Sequence, residues 1–228
     1  MISRLLTPLV QLFYPHCCEI CGTDLPATAE LLCFRCIESL PVTNFQRYND
    51  NPVMRLFNGR AKIEHAFSAY YYHQSSELRQ LIHLFKYKKR EDIAIWMGKQ
   101  MGIQLQQNNW YKEIDTLVPV PLYPKKERER GYNQATSIGK GIGEVLNLKI
   151  NTQLIHRQQY TNTQTQKGRS ERWQNVADTF IANSPLAGRH LLLIDDVITT
   201  GATTEACAQA LLRKNAKVSI ATLALTWH

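Results

Sequence analysis

The chain has 228 residues, 44% of them hydrophobic and 20% charged, with a formal net charge of +8. That length accommodates one ordinary domain with a small module beside it, and the composition excludes a largely disordered chain. No run of about 18 apolar residues is present, which excludes a membrane-crossing helix. The charge is lopsided: residues 1–70 hold six Lys/Arg and six Asp/Glu, whereas 71–228 hold 21 and 13. A basic second half favours polyanions or phosphorylated small molecules, with a solvated basic face as the plainer alternative.

The first fifteen residues place Ile2, Leu5, Leu6, Leu9, Leu12 and Phe13 at helical spacing, so a short amphipathic helix packed on its own protein is expected. No small-residue cleavage site follows them, which argues against a signal peptide. Five of the six cysteines then fall between residues 17 and 36, as the CxxC pairs Cys18/Cys21 and Cys33/Cys36 separated by eleven residues, with Cys17 to spare. Each CxxC turn aims two thiolates at one point, and two such turns make a tetrahedral site with Zn–S bonds of about 2.3 Å. Gly22 permits the tight turn of a zinc knuckle. Four cysteine ligands leave no position for water, so a structural zinc is expected, supplying folding free energy to a segment too short for its own core. Two disulfides or a redox pair are the alternative for the same residues.

A strand is predicted over 66–72, with Tyr70, Tyr71 and Tyr72 facing the core. Helices follow over 76–89, carrying Leu78, Leu81, Ile82 and Phe85 on one face, and near 93–107, then a loop over 106–110. Beyond residue 110 the pattern alternates: a short apolar strand over 116–121, a helix over 133–146, a continuous apolar strand over 190–194, a helix over 205–212 and a strand over 217–227. Alternation of this kind predicts an α/β domain with a mainly parallel sheet. Two units are therefore expected: helix plus knuckle over 1–65, and the α/β domain over 66–228. The histidines His16, His65, His73, His83, His156 and His190 fit no ligand spacing, and Cys207 reads as a small core residue.

The most informative stretch is LLLIDDVITTGATT, ending at Thr204: strand, two acids, a loop of Thr and Gly, then a helix. Ligands of open α/β sheets bind beyond the carboxyl ends of the strands. There, Thr199, Thr200, Gly201, Ala202 and Thr203 offer amides, hydroxyls and a helix N-terminus to a phosphate. Asp195 and Asp196 would repel that phosphate unless sugar hydroxyls or a metal ion lay between, so the pattern describes a ribose 5-phosphate. A coincidental acidic turn before a helix is the alternative.

The segment DDVITTGAT, from Asp195 to Thr203, resembles the phosphoribosyl pyrophosphate (PRPP) signature of type I phosphoribosyltransferases. VPVPLYPKKERERGYNQA over 118–135, LFKYKKR over 84–90 and TQTQKGRSERWQNVA over 163–177 resemble blocks of the ComF/GntX family, and with the cysteines in front the resemblance spans essentially the whole chain. It implies a zinc knuckle joined to a type I phosphoribosyltransferase domain that uses PRPP and magnesium, with a link to natural transformation by DNA uptake. It also implies that Asp195 and Asp196 hold the ribose hydroxyls, that residues 199–203 cradle the 5-phosphate, and that Val120 lies in the pyrophosphate loop. Lys86, Arg128 and Arg130 are further candidates for the pyrophosphate, against a solvated basic loop, with Gln134 one turn from Arg130. The basic, apolar-poor segment 156–172 is expected to be a lid, the family's catalytic hood, with Lys167 and Arg169 as transition-state contacts and Arg172 and Asn175 at its exit. The acceptor is not legible. A second class of function stays open, a non-catalytic module binding single-stranded DNA or a competence helicase. A cytoplasmic location is expected, and a homodimer is compatible with the chain.

Overall fold

The computed structural model describes residues 16–26, 28–73, 76–158, 179–183 and 185–226. The predicted N-terminal helix, with Lys167, Arg169, Arg172 and Asn175, lies outside the described residues. In chain order the regular elements are α1 (Phe34–Glu38), α2 (Pro52–Arg55), β1 (Ala66–Tyr72), α3 (Glu77–Tyr87), α4 (Glu91–Gln106), β2 (Thr116–Pro119), α5 (Pro124–Arg130), α6 (Gln134–Leu146), β3 (Ile155–Arg157), β4 (Phe180–Ala182), β5 (His190–Ile198), α7 (Ala202–Leu212) and β6 (Lys217–Thr226). No described helix is long and apolar enough to cross a membrane.

The two most apolar strands form the centre. β5 and β6 pair in parallel, with Leu193 opposite Ile220 and Asp195 opposite Thr222. Leu191, Leu192, Leu193, Ile194, Val218 and Ile220 are completely buried, as strands covered on both faces require. β1 joins the free side of β6 and β2 that of β5, giving the all-parallel order β1-β6-β5-β2. Residues 41–43 run along the outer side of β1, where the Thr43 N–H donates to Ala69 O and the Tyr71 N–H to Pro41 O, so that edge is covered against pairing with another chain.

Glycines set the spacing of the helices that flank the sheet. A Cβ on Gly98 of α4 would stand 2.1 Å from Ile138 O, and one on Gly141 of α6 2.0 Å from Ile95 O, so the two backbones touch. The cysteine segment shares the main core: Cys18, Leu25, Leu32 and Leu40 are buried in one contiguous cluster with the sheet residues. Its surface is tied down by an ion pair from Glu19 to Arg90 at 2.7 Å and by Gln80 Nε2 donating to Glu19 O at 2.7 Å.

Several element bounds differ from the expectation. β5 does not stop at Ile194 but carries Asp195 and Asp196 on to Ile198, because ladder pairing with β6 continues past the acids. α7 begins at Ala202, three residues earlier than predicted, so Ala202 and Thr203 belong to its first turn. Residues 124–130, read as a basic loop, form α5, with Pro124 in the first turn and Gly131, at φ +86°, ending it. At the start of the expected lid, residues 155–157 are a strand, paired antiparallel with β4.

Candidate functional site

Parallel strands end on one side of a sheet, so the loops that follow β2 and β5 come together. Between them lies a cleft of about 300 Å³, walled by Asp195, Asp196 and residues 199–204 on one side and by Val120, Pro121 and Arg130 on the other, with Lys86 and Arg157 also reaching it.

The acids are held by short local bonds. Asp195 accepts the Asp196 N–H at 2.8 Å and the Thr204 hydroxyl at 3.1 Å, and Asp196 accepts the Val197 N–H at 2.6 Å. Lys86 Nζ lies 2.8 Å from Asp196 Oδ2, each side chain 16% exposed. Burial, and then the neighbouring Asp196 carboxylate, push the Asp195 carboxyl up to about 7. Two carboxylates facing one cleft beside a single bonded ammonium are a site for hydroxyl donors or a cation.

Beyond them, Gly201 takes φ +75° as the N-cap of α7. This left-handed backbone is one that glycine adopts without the Cβ penalty. It turns the chain so that residues 199–203 line the cleft at a helix N-terminus, whose first amides have no partner within the helix.

The basic residues divide according to helix geometry. Arg130 lines the cleft, donates to Gln134 Oε1 at 2.6 Å and lies 5.8 Å from the Tyr87 ring centroid. Lys126, one turn earlier on the same face of α5, lines it as well. Arg128 is exposed and outside the cleft lining: two residues along a helix turn a side chain about 200° away. Nothing in the loop reading of this segment could separate Arg128 from Arg130; Pro124 and Gly131 as helix punctuation would have done so.

Two cleft residues and the ties beside the cleft escaped the sequence reading. Lys126 was one. Arg157 was counted only with the lid, and it lies over Tyr123 and Phe180 at 5.5 and 5.4 Å from their ring centroids. The Tyr132 hydroxyl donates to Phe85 O at 2.5 Å, tying the residue before Lys86 to the turn after Arg130. Asn133 similarly joins α6 to the pyrophosphate-loop candidate, accepting the Ala135 N–H and donating to Val120 O, both at 3.0 Å.

In the cysteine segment, the Sγ atoms of Cys18, Cys21, Cys33 and Cys36 all lie within 4.8 Å of one another, and the Cys21–Cys33 separation is 3.7 Å. The edge of a tetrahedron with 2.3 Å Zn–S bonds is about 3.8 Å, so these four side chains could hold one metal ion. Cys17 points elsewhere, its thiol donating to Asp24 at 3.4 Å.

No family model matches the chain. Among curated proteins it is 29% identical over 203 residues to DNA utilization protein YhgH of Escherichia coli K12, covering 87% of this chain and 79% of that one. It is 28% identical over 148 residues to competence protein F of Haemophilus influenzae, covering 62% and 64%. Among solved structures, a glutamine PRPP amidotransferase of Bacillus subtilis superposes with TM-score 0.43 at 20% identity, over 61% of this chain, which spans only 30% of that enzyme. The parallel sheet flanked by helices, with an acid pair and a Thr/Gly loop at the carboxyl end of a central strand, is the arrangement expected from the resemblance to type I phosphoribosyltransferases. Relatives named for competence and DNA utilization match much of its length, and the chain is similar to them over the blocks that resemble the ComF family.

Proposed function

We propose that the cleft binds PRPP with magnesium and that the protein is a phosphoribosyltransferase serving DNA uptake. The observation that carries this reading is the joining of Asp195, Asp196 and residues 199–203 in one cleft with Lys86 and Arg130. Asp195 and Asp196 accept the ribose hydroxyls, the amides and hydroxyls of residues 199–203 hold the 5-phosphate, and Val120, Arg130 and Lys86 face the diphosphate. Breaking the bond from C1 to pyrophosphate leaves positive charge on the ribose ring and negative charge on the leaving group, which the cationic side chains stabilise. Magnesium suits this donor set of carboxylate and phosphate oxygens and, when bound, neutralises diphosphate charge. The four-cysteine cluster takes zinc in a structural role, in line with its all-thiolate ligands.

Calorimetric titration with PRPP and magnesium tests the reading. Two charge-assisted hydrogen bonds are lost in the Asp195→Asn/Asp196→Asn double variant, so its affinity should fall by about 100-fold or more. Equal binding by wild type and folded variant would sink the reading.

The raised pKa of Asp195 supplies a second expectation. Hydroxyl donors bind the ionised carboxylate more strongly than the acid, whereas in the free protein this group holds its proton up to about pH 7. Binding should therefore release close to one proton at pH 6 and almost none at pH 8.5, read from calorimetry in buffers of different ionisation heat. In the free protein the same shift runs the other way on stability. The native state binds the extra proton, so this group's contribution declines as pH rises from the ordinary carboxylate range near 4 to about 7.

A non-catalytic module for single-stranded DNA is the second reading, favoured by one feature. Tyr87 and Tyr123, 64% and 45% exposed, each sit beside an arginine that lines the cleft, a pairing suited to base stacking over a cationic groove. A protein that binds oligonucleotides but shows no heat with PRPP would favour it.

A further inference from the structure

The phosphate loop has a second support that comes from the far end of the chain. Asn51 caps α2 by accepting the Val53 and Met54 amides at 3.0 and 3.1 Å, and it donates to Ala66 O at 2.8 Å, fixing the segment to the start of β1. The turn that follows α2 carries Phe57 and Arg60. Phe57 is buried, and its ring lies 3.4 Å from where a Cβ on Gly201 would stand. Arg60 Nη1 donates to Leu56 O at 3.0 Å and to Thr200 O at 3.1 Å, while Nη2 is paired with the Glu205 carboxylate. Gln209 Nε2 closes the ring, donating to Arg60 O at 3.1 Å and to Glu205 Oε1 at 3.2 Å. The guanidinium is thus held from both sides.

The direction of the Thr200 carbonyl decides what this does. In a trans peptide the C=O and the following N–H point in opposite directions. Arg60 lines no part of the cleft and belongs to a shallow surface depression with Gly59, Ala61 and Lys62. A Thr200 carbonyl drawn outward to Arg60 therefore turns the Gly201 N–H inward, and that N–H has no acceptor among the described residues. Arg60 adds no net charge to the cleft wall, because Glu205 neutralises it.

We infer that Arg60 is a positioning residue of the phosphate cradle: from the segment before the first strand, it sets the Thr200–Gly201 peptide so that the Gly201 N–H meets the anion. The inference rests on the reading of the cleft as a PRPP site and deepens it, since the cysteine-bearing segment then supplies part of the binding geometry.

The test combines calorimetry with amide NMR on the full chain, using PRPP with magnesium as the probe. In the wild type, the Gly201 amide should move downfield on saturation. Arg60→Met should bind about tenfold more weakly, the worth of one charge-assisted bond's orientation, with the Gly201 shift much reduced. Arg60→Lys, which can still reach a carbonyl, should fall between. A purely structural Arg60 would change thermal stability and leave the Gly201 response intact, and a folded Arg60→Met with wild-type affinity and a wild-type Gly201 shift overturns the inference while leaving the PRPP reading standing. If Arg60→Met does not fold, the wild-type spectrum decides: a Gly201 amide that stays put while PRPP binds overturns the inference. A wild type that shows neither heat nor shifts overturns the PRPP reading and this inference with it.

Discussion

Cys36→Ser should abolish stoichiometric zinc binding and lower Tm by about 10 °C or more, whereas Cys17→Ser should leave both unchanged. The difference follows from where the two thiols point. Cys36 is buried, its Sγ in the four-sulfur cluster, while Cys17 faces Asp24. Around the cluster the backbone makes a small hairpin, in which the Cys18 N–H donates to Thr23 O at 2.8 Å and the Leu25 N–H to His16 O at 2.7 Å, and Cys33 is the N-cap of α1. These are few bonds for so short a segment, so a metal held by the four thiols would supply much of its folding free energy. When the cluster opens, Leu25, Leu32 and Leu40 lose their place in the core; three leucines at about 1.5–3 kcal/mol each make a loss of about 5 kcal/mol or more. At about 2–4 °C per kcal/mol for a chain of this size, that is a shift of 10 °C or more. Metal content by atomic spectroscopy and a thermal melt check both halves. Retention of one zinc per chain in Cys36→Ser would assign the ligands wrongly.

The two halves of the site were unequally legible in the sequence. Cysteine spacing is local, and a metal demands fixed angles, so Cys18, Cys21, Cys33 and Cys36 were the expected ligands, with a register through Cys17 left open, and the structure brings those four thiols within 4.8 Å of one another. The run His190–Ile194 was legible as a central strand because nothing but leucine and isoleucine fills its middle. Its extension through Asp195 and Asp196 was not, since acids are disfavoured in strands and it is the pairing of Asp195 with Thr222 and of Val197 with Ala224 that carries the ladder past them. The split between Arg128 and Arg130 depends on α5 being a helix, a short one made almost wholly of charged residues with no apolar stripe to betray its period. Arg60 is the extreme case: it meets Thr200 across 140 residues of sequence, and no local pattern records such a contact.

Gly141→Ala should be among the most damaging single-methyl changes in the protein, costing about 3 kcal/mol and lowering Tm by about 6–12 °C. On propensity alone the change ought to help, because alanine is favoured over glycine in a helix by about 1 kcal/mol. Contact reverses the sign. The new methyl would lie 2.0 Å from Ile95 O and 2.7 Å from Lys99 N, both backbone atoms of α4, so no side chain can swing aside and the helices must separate. Gly139, two residues earlier on the same helix, is the internal control. Its Cβ would meet Ile150 Cδ1 at 2.7 Å, the far end of a side chain that can yield, so Gly139→Ala should stay within about 1 kcal/mol of wild type. The damage at Gly141 should also reach the cleft, because α6 carries Gln134, the acceptor for Arg130, at its first position and is capped by Asn133. A displaced α6 moves that acceptor away from Arg130 and pulls on Val120 through Asn133. Gly141→Ala should therefore weaken PRPP binding as well as stability, while Gly139→Ala spares both. Equal melts for the two variants would mean that α4 and α6 are not held in backbone contact.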